Sequence, residues 1–440
     1  LSAAPASAHP ALPRLTAALG MCAVGCALAV PFGKAPFNLF LWTAVLLFFV
    51  HAALDRRAFA AALRNPIVAG SLAMFALYAA SVAWTVAPTA VALDQLTSYR
   101  VLLMPLVFMP VFAHPTWRDR ALGALLIALG VVLVLSWVQW LHPLPFARAT
   151  RESTGIDARD AYVFTDRIRQ NVHMSLLLLW SAGTWLLARD ASPLRRRACA
   201  VLAALCVIDM LWLLQGRTGY VLVAGLGMYL LYARFGARGV ALGMGAVAVA
   251  AAALWAGLPV FSERLAGSAG EVRAYLQTGV SNSTGERLEM WSNSLRMIAD
   301  APVLGHGVES YPALSEAMYA AKGRVPLEIY HDPHQEFLYV GVELGLAGLA
   351  VLLAGLAGLW RAAARFDDPW HWLMRGMVVA YVSAGLFNCL LNIGWTGYYF
   401  GLLLAMFAGR HAQALRTALP GSQPGRPAAV PAPAATAEVA

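Results

Sequence analysis

The chain has 440 residues, 60% of them hydrophobic and only 12% charged, against about 25% charged in an average globular protein. A soluble fold of this length cannot hide so much apolar surface, whereas a bilayer can. The composition therefore excludes a soluble globular enzyme and points to an all-α polytopic membrane protein. The formal net charge of +9 comes from arginine, with Lys34 and Lys322 the only lysines. Its placement in short loops fits membrane topology and gives no reason to expect nucleic acid as a partner.

Apolar runs of spanning length lie at about 13–31, 37–54, 66–86, 99–113, 119–141 and 171–188, then at about 198–215, 218–233, 239–260, 336–359, 371–390 and 395–409. They predict about twelve transmembrane helices. Arg14 stands at the start of the first run, which reads as a signal anchor, with a cleaved signal peptide as the alternative, because further spans follow with no secreted domain between them. Cys22, Cys26, Cys199, Cys206 and Cys389 all fall inside apolar runs. Odd in number and without ligand spacing, they offer neither a disulfide framework nor a metal site.

The loops after even-numbered runs carry the arginines: Arg56, Arg57 and Arg64, then Arg118 and Arg120, and Arg189 with Arg195–Arg197. Arg234 and Arg238 follow, then Arg361, Arg365 and Arg375. The opposite loops carry little beyond Lys34 and Arg217, so the positive-inside rule puts both termini in the cytoplasm. Residues 1–260 then hold nine spans and a smaller periplasmic loop at 142–170. Residues 261–335 form one long periplasmic loop domain containing helices, and 336–410 hold three more spans. Residues 411–440, Pro/Ala-rich from Pro420 onward, read as a disordered cytoplasmic tail.

Both outer segments are rich in cations. Residues 142–170 carry Arg148, Arg151, Arg159, Arg167 and Arg169 against Glu152, Asp157, Asp160 and Asp166. The longer segment carries Arg264, Arg273, Arg287, Arg296, Lys322 and Arg324. Long loops escape the topology rule, so this charge is available for a basic vestibule suited to phosphate-bearing lipids.

Three motifs carry candidate chemistry. Gln215-Gly216-Arg217-Thr218-Gly219 separates two apolar runs. An arginine at membrane depth is costly and normally faces protein or a polar cavity; the alternative is a hairpin turn with Arg217 on lipid headgroups. Asp209, two turns earlier, is its candidate partner. Next, Thr284 caps a helix over Gly285-Glu286-Arg287-Leu288-Glu289-Met290-Trp291, with Leu288, Trp291, Leu295 and Ile298 as its apolar face. Arg287 and Trp291 share a side of that helix, which ends by Asp300-Ala301-Pro302. Finally, Asp332-Pro333-His334-Gln335 reads as a helix start, with Asp332 as cap, Pro333 in the first turn and Gln335 closing a capping box. This puts His334 in the first turn at the water–membrane boundary, where a neutral imidazole can act as a base; the alternative is a histidine that packs or caps. His331 is a second candidate.

The order Gly216-Arg217-Thr218-Gly219, Gly285-Glu286-Arg287-Leu288-Glu289-Met290-Trp291 and Pro302-Val303-Leu304-Gly305-His306-Gly307 continues with two further motifs. These are Pro333-His334-Gln335-Glu336-Phe337-Leu338 and Glu343-Leu344-Gly345-Leu346-Ala347-Gly348-Leu349. Together they resemble the O-antigen ligase and O-antigen polymerase superfamily of bacterial inner membranes. The likeness covers 66–405 in topology, with its specific motifs within 215–349, and Gln335 stands where that family usually has Asn. It implies a GT-C-like, metal-independent, inverting glycosyltransferase without cofactor, its active site facing the periplasm. Such an enzyme moves O-antigen polysaccharide from undecaprenyl diphosphate to a sugar hydroxyl of lipid A–core oligosaccharide.

The residues agree with that implication. The outer loops hold no Asp-X-Asp pair and no His/Cys cluster of metal-ligand spacing. A leaving diphosphate then needs fixed cations, and arginine binds phosphate in a fork. Arg217 and Arg287 take that role, with His334 as general base. Gly216, Gln335, Trp291, His331, Arg169 and Arg100 are candidates for contacts to the diphosphate or the acceptor. An O-antigen polymerase or a protein O-oligosaccharyltransferase would share the donor chemistry. A secondary transporter would need paired ionisable residues at midplane in two related halves, and the sequence offers Asp209 but no repeat.

Overall fold

The computed structural model describes residues 9–149, 160–214, 216–257, 283–321 and 331–418, and the regular elements among them are all helical. The first set is α1 (Leu12–Ala29), α2 (Lys34–Leu54), α3 (Arg56–Leu63), α4 (Pro66–Ser81), α5 (Thr89–Ser98), α6 (Met104–Phe112) and α7 (Pro115–Leu141). Then come α8 (Arg167–Leu186), α9 (Pro193–Ile208), α10 (Arg217–Phe235) and α11 (Ala237–Gly257). Residues 283–321 contribute α12 (Ser283–Asp300) and α13 (Ser310–Ala321). The chain closes with α14 (Glu336–Ala362), α15 (Trp370–Gly385) and α16 (Gly394–Ala418). Side-chain caps open several of them: Asp55 on α3, Asn65 on α4, Asp166 on α8 and Ser192 on α9.

The twelve apolar runs each fall on a helix, yet length and composition support fewer crossings. Six helical stretches among the described residues are long and apolar enough to span a bilayer, or seven if one bent pair counts. At 1.5 Å per residue, the 16-residue helices α4 and α15 reach about 24 Å, short of a hydrocarbon core of about 30 Å. The bent pair is α3 with α4, turned by 72°. Asn65 and Pro66 end one helix and begin the other, and the Asn65 amide also donates to the Ala408 carbonyl at 2.9 Å.

The last helix runs past the expected boundary at 410, with His411 and Ala412 buried, and ends at Ala418. Residues 419–440 lie outside the described residues. So do Gln215, Arg151, Glu152, Asp157, Arg159, Arg264, Arg273, Lys322 and Arg324.

One break positions the site. Gly345, at φ +61° and ψ −156°, interrupts α14. A break there frees the carbonyls of residues 342 and 343 and the N–H groups of 346 and 347, which must find partners in a membrane. Residues 302–307 supply all four. His306 and Gly307 donate to Val342 and Glu343 at 2.9 and 2.8 Å, while Leu346 and Ala347 donate to Pro302 and Val303 at 2.8 and 3.0 Å. The backbones meet so closely that a Cβ on Gly305 would lie 2.5 Å from the Glu343 carbonyl carbon. One on Gly345 would lie 2.5 Å from that of Val303. Residues 302–307 are thereby sewn into α14. The next residue is held at the end of α4, through Ser81 Oγ accepting from Val308 N at 3.0 Å and Thr85 Oγ1 donating to Val308 O at 2.7 Å.

Candidate active site

The connection between α15 and α16, residues 386–393, draws the motifs together. Asn388 Nδ2 donates to Thr218 Oγ1 at 3.1 Å, which ties the start of α10 to it. Leu390 N donates to Glu336 Oε2 at 2.6 Å, and Tyr381 Oη donates to Oε1 of the same carboxylate at 2.7 Å, which ties the start of α14. The Cys389 thiol hydrogen-bonds Asp332. Trp291 of α12 donates from Nε1 to the Pro333 carbonyl at 3.1 Å and sets its ring 6.1 Å from that of Phe387. Arg217, the Arg287–Trp291 turn and His334 therefore surround one short segment, although more than a hundred residues separate the first from the last.

His334 is not in a helix. The helix starts at Glu336 with Gln335 as its cap, the Gln335 side chain accepting from Leu338 N. His334 instead takes φ +52°, a left-handed conformation that costs a non-glycine residue about 1–2 kcal/mol. Asp332, expected as the cap, holds this turn: its Oδ1 accepts from His334 N at 2.8 Å and lies 3.2 Å from Nδ1. What faces the ring is thus a carboxylate, not the positive end of a helix. An Nδ1–H aimed at Asp332 selects the tautomer whose lone pair is on Nε2. Burial pushes the Asp332 carboxyl up, and the hydrogen bonds and charge of His334 outweigh it, so the group sits below the ordinary carboxylate range.

Arg217 is the first residue of α10 and is exposed, with Gly216 as the extended cap before it. Gly216 allows close approach, since a Cβ there would lie 2.9 Å from Asn171 Nδ2. Asp209 is not the partner of Arg217; it is buried and accepts from Ser136 Oγ at 2.5 Å. Arg287 is half-buried, one turn before Trp291. The buried side of α12 differs from the expected apolar face. Met290, Asn293, Ser294 and Met297 point inward and Leu295 is 59% exposed. The helix lies against α14, and Ser294 can be buried there because its hydroxyl bonds the Met290 carbonyl at 2.7 Å.

Three expected contacts fall elsewhere. The His331 side chain is 80% exposed, with Nδ1 3.7 Å from Glu309 Oε1. Burial raises the Glu309 carboxyl. The charges of Arg169, Arg100 and Arg148 act on Lys34. Among the described residues, no group of three or more His, Cys, Asp and Glu side chains is arranged to hold a metal ion. Thr218, Glu336, Tyr381 and Asn388 were not singled out from sequence. The polar pair Asn388 and Asn392, at the end of an apolar run, was the signal available.

An apolar cavity of about 450 Å³ lies between α4, α14, α15 and α16, with Ile67, Met74, Leu356 and Phe400 in its walls. Tyr381 and Leu391 also line it. Both belong to the hydrogen-bonded surroundings of Glu336, so the cavity adjoins the site.

Residues 202–353 match the family model described as O-antigen ligase. Over that stretch the chain is similar to the O-antigen ligase domain. The stretch holds Gly216, Arg217, Arg287, Trp291, His331, His334 and Gln335, and it leaves out Arg100 and Arg169. The family is one of glycosyltransferase-like membrane enzymes, with polysaccharide and lipid substrates in general. A protein of Haemophilus influenzae described as uncharacterized is 29% identical over 85 residues, 19% of this chain and 21% of that protein. The chain thus aligns with about a fifth of that relative's length.

Proposed function

We propose that the chain acts as an O-antigen ligase at the periplasmic face of the bacterial inner membrane. Its donor is O-antigen on undecaprenyl diphosphate, and its acceptor a sugar hydroxyl of lipid A–core. The acceptor oxygen attacks the anomeric carbon, the bond from that carbon to the diphosphate breaks with inversion, and His334 takes the hydroxyl proton. Arg217 and Arg287 meet the charge that develops on the departing undecaprenyl diphosphate, without a metal ion. Asp332 positions the His334 ring, and the apolar cavity beside Tyr381 seats hydrocarbon of the donor lipid. The observation that carries this reading is His334, held left-handed by Asp332, which Cys389 ties to the same connection that anchors the start of α10.

Purified protein in detergent, given lipid-linked glycan, lipid A–core and a chelator, is expected to form ligated product. A positioned base contributes roughly 10²–10⁴-fold, so His334→Ala should lower turnover by that factor while donor still binds. His331→Ala should be mild. A more severe His331→Ala, or a His334→Gln that works like the unmodified chain, would remove His334 as base. Elongated lipid-linked glycan in place of ligated product would mark a polymerase.

A further inference from the structure

A second set of cations gathers at the other end of residues 386–398. Lys34 opens α2, and Asn38, one turn on, shares its face. Asn38 Oδ1 accepts from Tyr398 Oη at 3.0 Å, and the Tyr398 ring stacks on Phe37 with centroids 4.4 Å apart. The same Tyr398 hydroxyl accepts from Arg100, whose guanidinium lies 5.4 Å from the centre of that ring. Lys34 rests on the start of α16, where a Cβ added to Gly394 would lie 3.3 Å from its Cε and 3.5 Å from its Nζ. Arg169 stands in the first turn of α8. His173, one turn further along α8, bonds the Trp395 backbone and has its ring 5.0 Å from that of Tyr399. Arg148 arrives from residues 142–149, its N–H on the Val163 carbonyl at 2.7 Å. Phe164 packs between Phe32, before α2, and Phe146, with centroids 5.1 and 6.1 Å away. The charges of Arg169, Arg100 and Arg148 all act on Lys34.

Four like charges drawn from separate parts of the chain repel one another. Asp166, 2.8 Å from Arg169, answers that guanidinium, and Arg148 has an interaction of its own. Among the described residues no acid pairs with Arg100: it donates to the Thr97 carbonyl and the Tyr398 hydroxyl, both neutral, and its Nε is buried without a partner there. An anion completes such an arrangement, and guanidinium forks with an ammonium suit a phosphate group.

We propose that Lys34, Arg100, Arg148 and Arg169 form a second phosphate site, which holds a phosphorylated glycolipid acceptor by a phosphate remote from the reacting hydroxyl. This rests on the transfer reaction above. In that reaction the donor's diphosphate leaves from the very carbon that the hydroxyl attacks, so it lies beside the base, with Arg217 and Arg287. The second cluster is carried by α2, residues 99–103, residues 142–149, α8 and the start of α16, none of which holds His334. A phosphate bound there does not react, so it belongs to the other substrate. Asn388 at the first site and Gly394 at the second are six residues apart, no more than about 22 Å of chain, which the sugars of the acceptor bridge.

The test measures binding to the purified full-length chain in detergent, without turnover. The probes are diphosphorylated lipid A, dephosphorylated lipid A, phosphatidylglycerol and undecaprenyl diphosphate. Lys34 is exposed, so Lys34→Gln requires no repacking; Arg169→Gln is the second variant. Each should weaken diphosphorylated lipid A about tenfold or more, the loss expected for a charge-assisted bond. Neither should change the binding of dephosphorylated lipid A or of undecaprenyl diphosphate. Equal weakening of phosphatidylglycerol would make this a bilayer headgroup site and overturn the proposal, as would weakening of undecaprenyl diphosphate alone or no change. If Arg217→Ala and His334→Ala leave transfer intact while Lys34→Gln still weakens lipid A, the catalytic reading fails and the phosphate site stands.

Discussion

Asp332→Asn isolates the charge beside the proposed base. The amide oxygen can still accept from His334 N, so the left-handed turn survives, but the carboxylate is gone. In the unmodified chain Asp332 Oδ1 lies 3.2 Å from His334 Nδ1. Once His334 has taken a proton, that carboxylate attracts it by about 5 kcal/mol at an effective dielectric near 20. The His334 side chain is 35% exposed, and water screens the pair, which leaves about 1.5–3 kcal/mol, the worth of a hydrogen bond to a charged group. At about 1.36 kcal/mol per decade, kcat should fall about 10- to 150-fold. The KM for the lipid-linked donor, set by the arginines, should hold within about twofold. Thermal unfolding in detergent gives a second reading. A carboxyl depressed in the folded state stabilises it above the unfolded pKa, about 3.9, and that contribution is lost as pH falls through the lower folded value. The difference in Tm between the unmodified chain and Asp332→Asn should therefore persist above about pH 5 and close below about pH 4. Unchanged kcat, a loss confined to donor KM, or a difference that closes as pH rises would refute the reasoning.

Arg217→Ala and Arg287→Ala should each cost on the order of 2–5 kcal/mol in transfer, with lysine a poor replacement for the guanidinium fork. Near-normal turnover of either alanine variant would take that residue out of the mechanism. Gly345→Ala should destabilise the fold by about 2–5 kcal/mol, from a left-handed φ and from contact with the Val303 backbone. A Tm in detergent within a degree of the unmodified chain would show that α14 and residues 302–307 part easily.

Sequence by itself determined the membrane class, because apolar runs of spanning length need no tertiary information to be costly in water. It also placed Arg217, Arg287 and His334 in motifs that resemble one family, and it ended α12 at Asp300, although Thr284, read as its cap, lies inside the helix. It did not determine the turn at His334. Asp332 and Gln335 are both competent caps, and the choice between them was made by Cys389 and Leu390, which hold Asp332 and Glu336 at the two ends of that segment from a connection more than fifty residues away. The glycines of 302–307 and 343–349 were visible only as parts of motifs, and their meeting depends on four backbone groups that a broken α14 could not leave unpaired in a membrane. Lys34 read as a lone loop cation until Tyr398 and Gly394 put it beside Arg100. Periodicity records which face of a helix is apolar; a hydrogen bond between residues such as Thr218 and Asn388 leaves no period behind, so only the packed chain decides it.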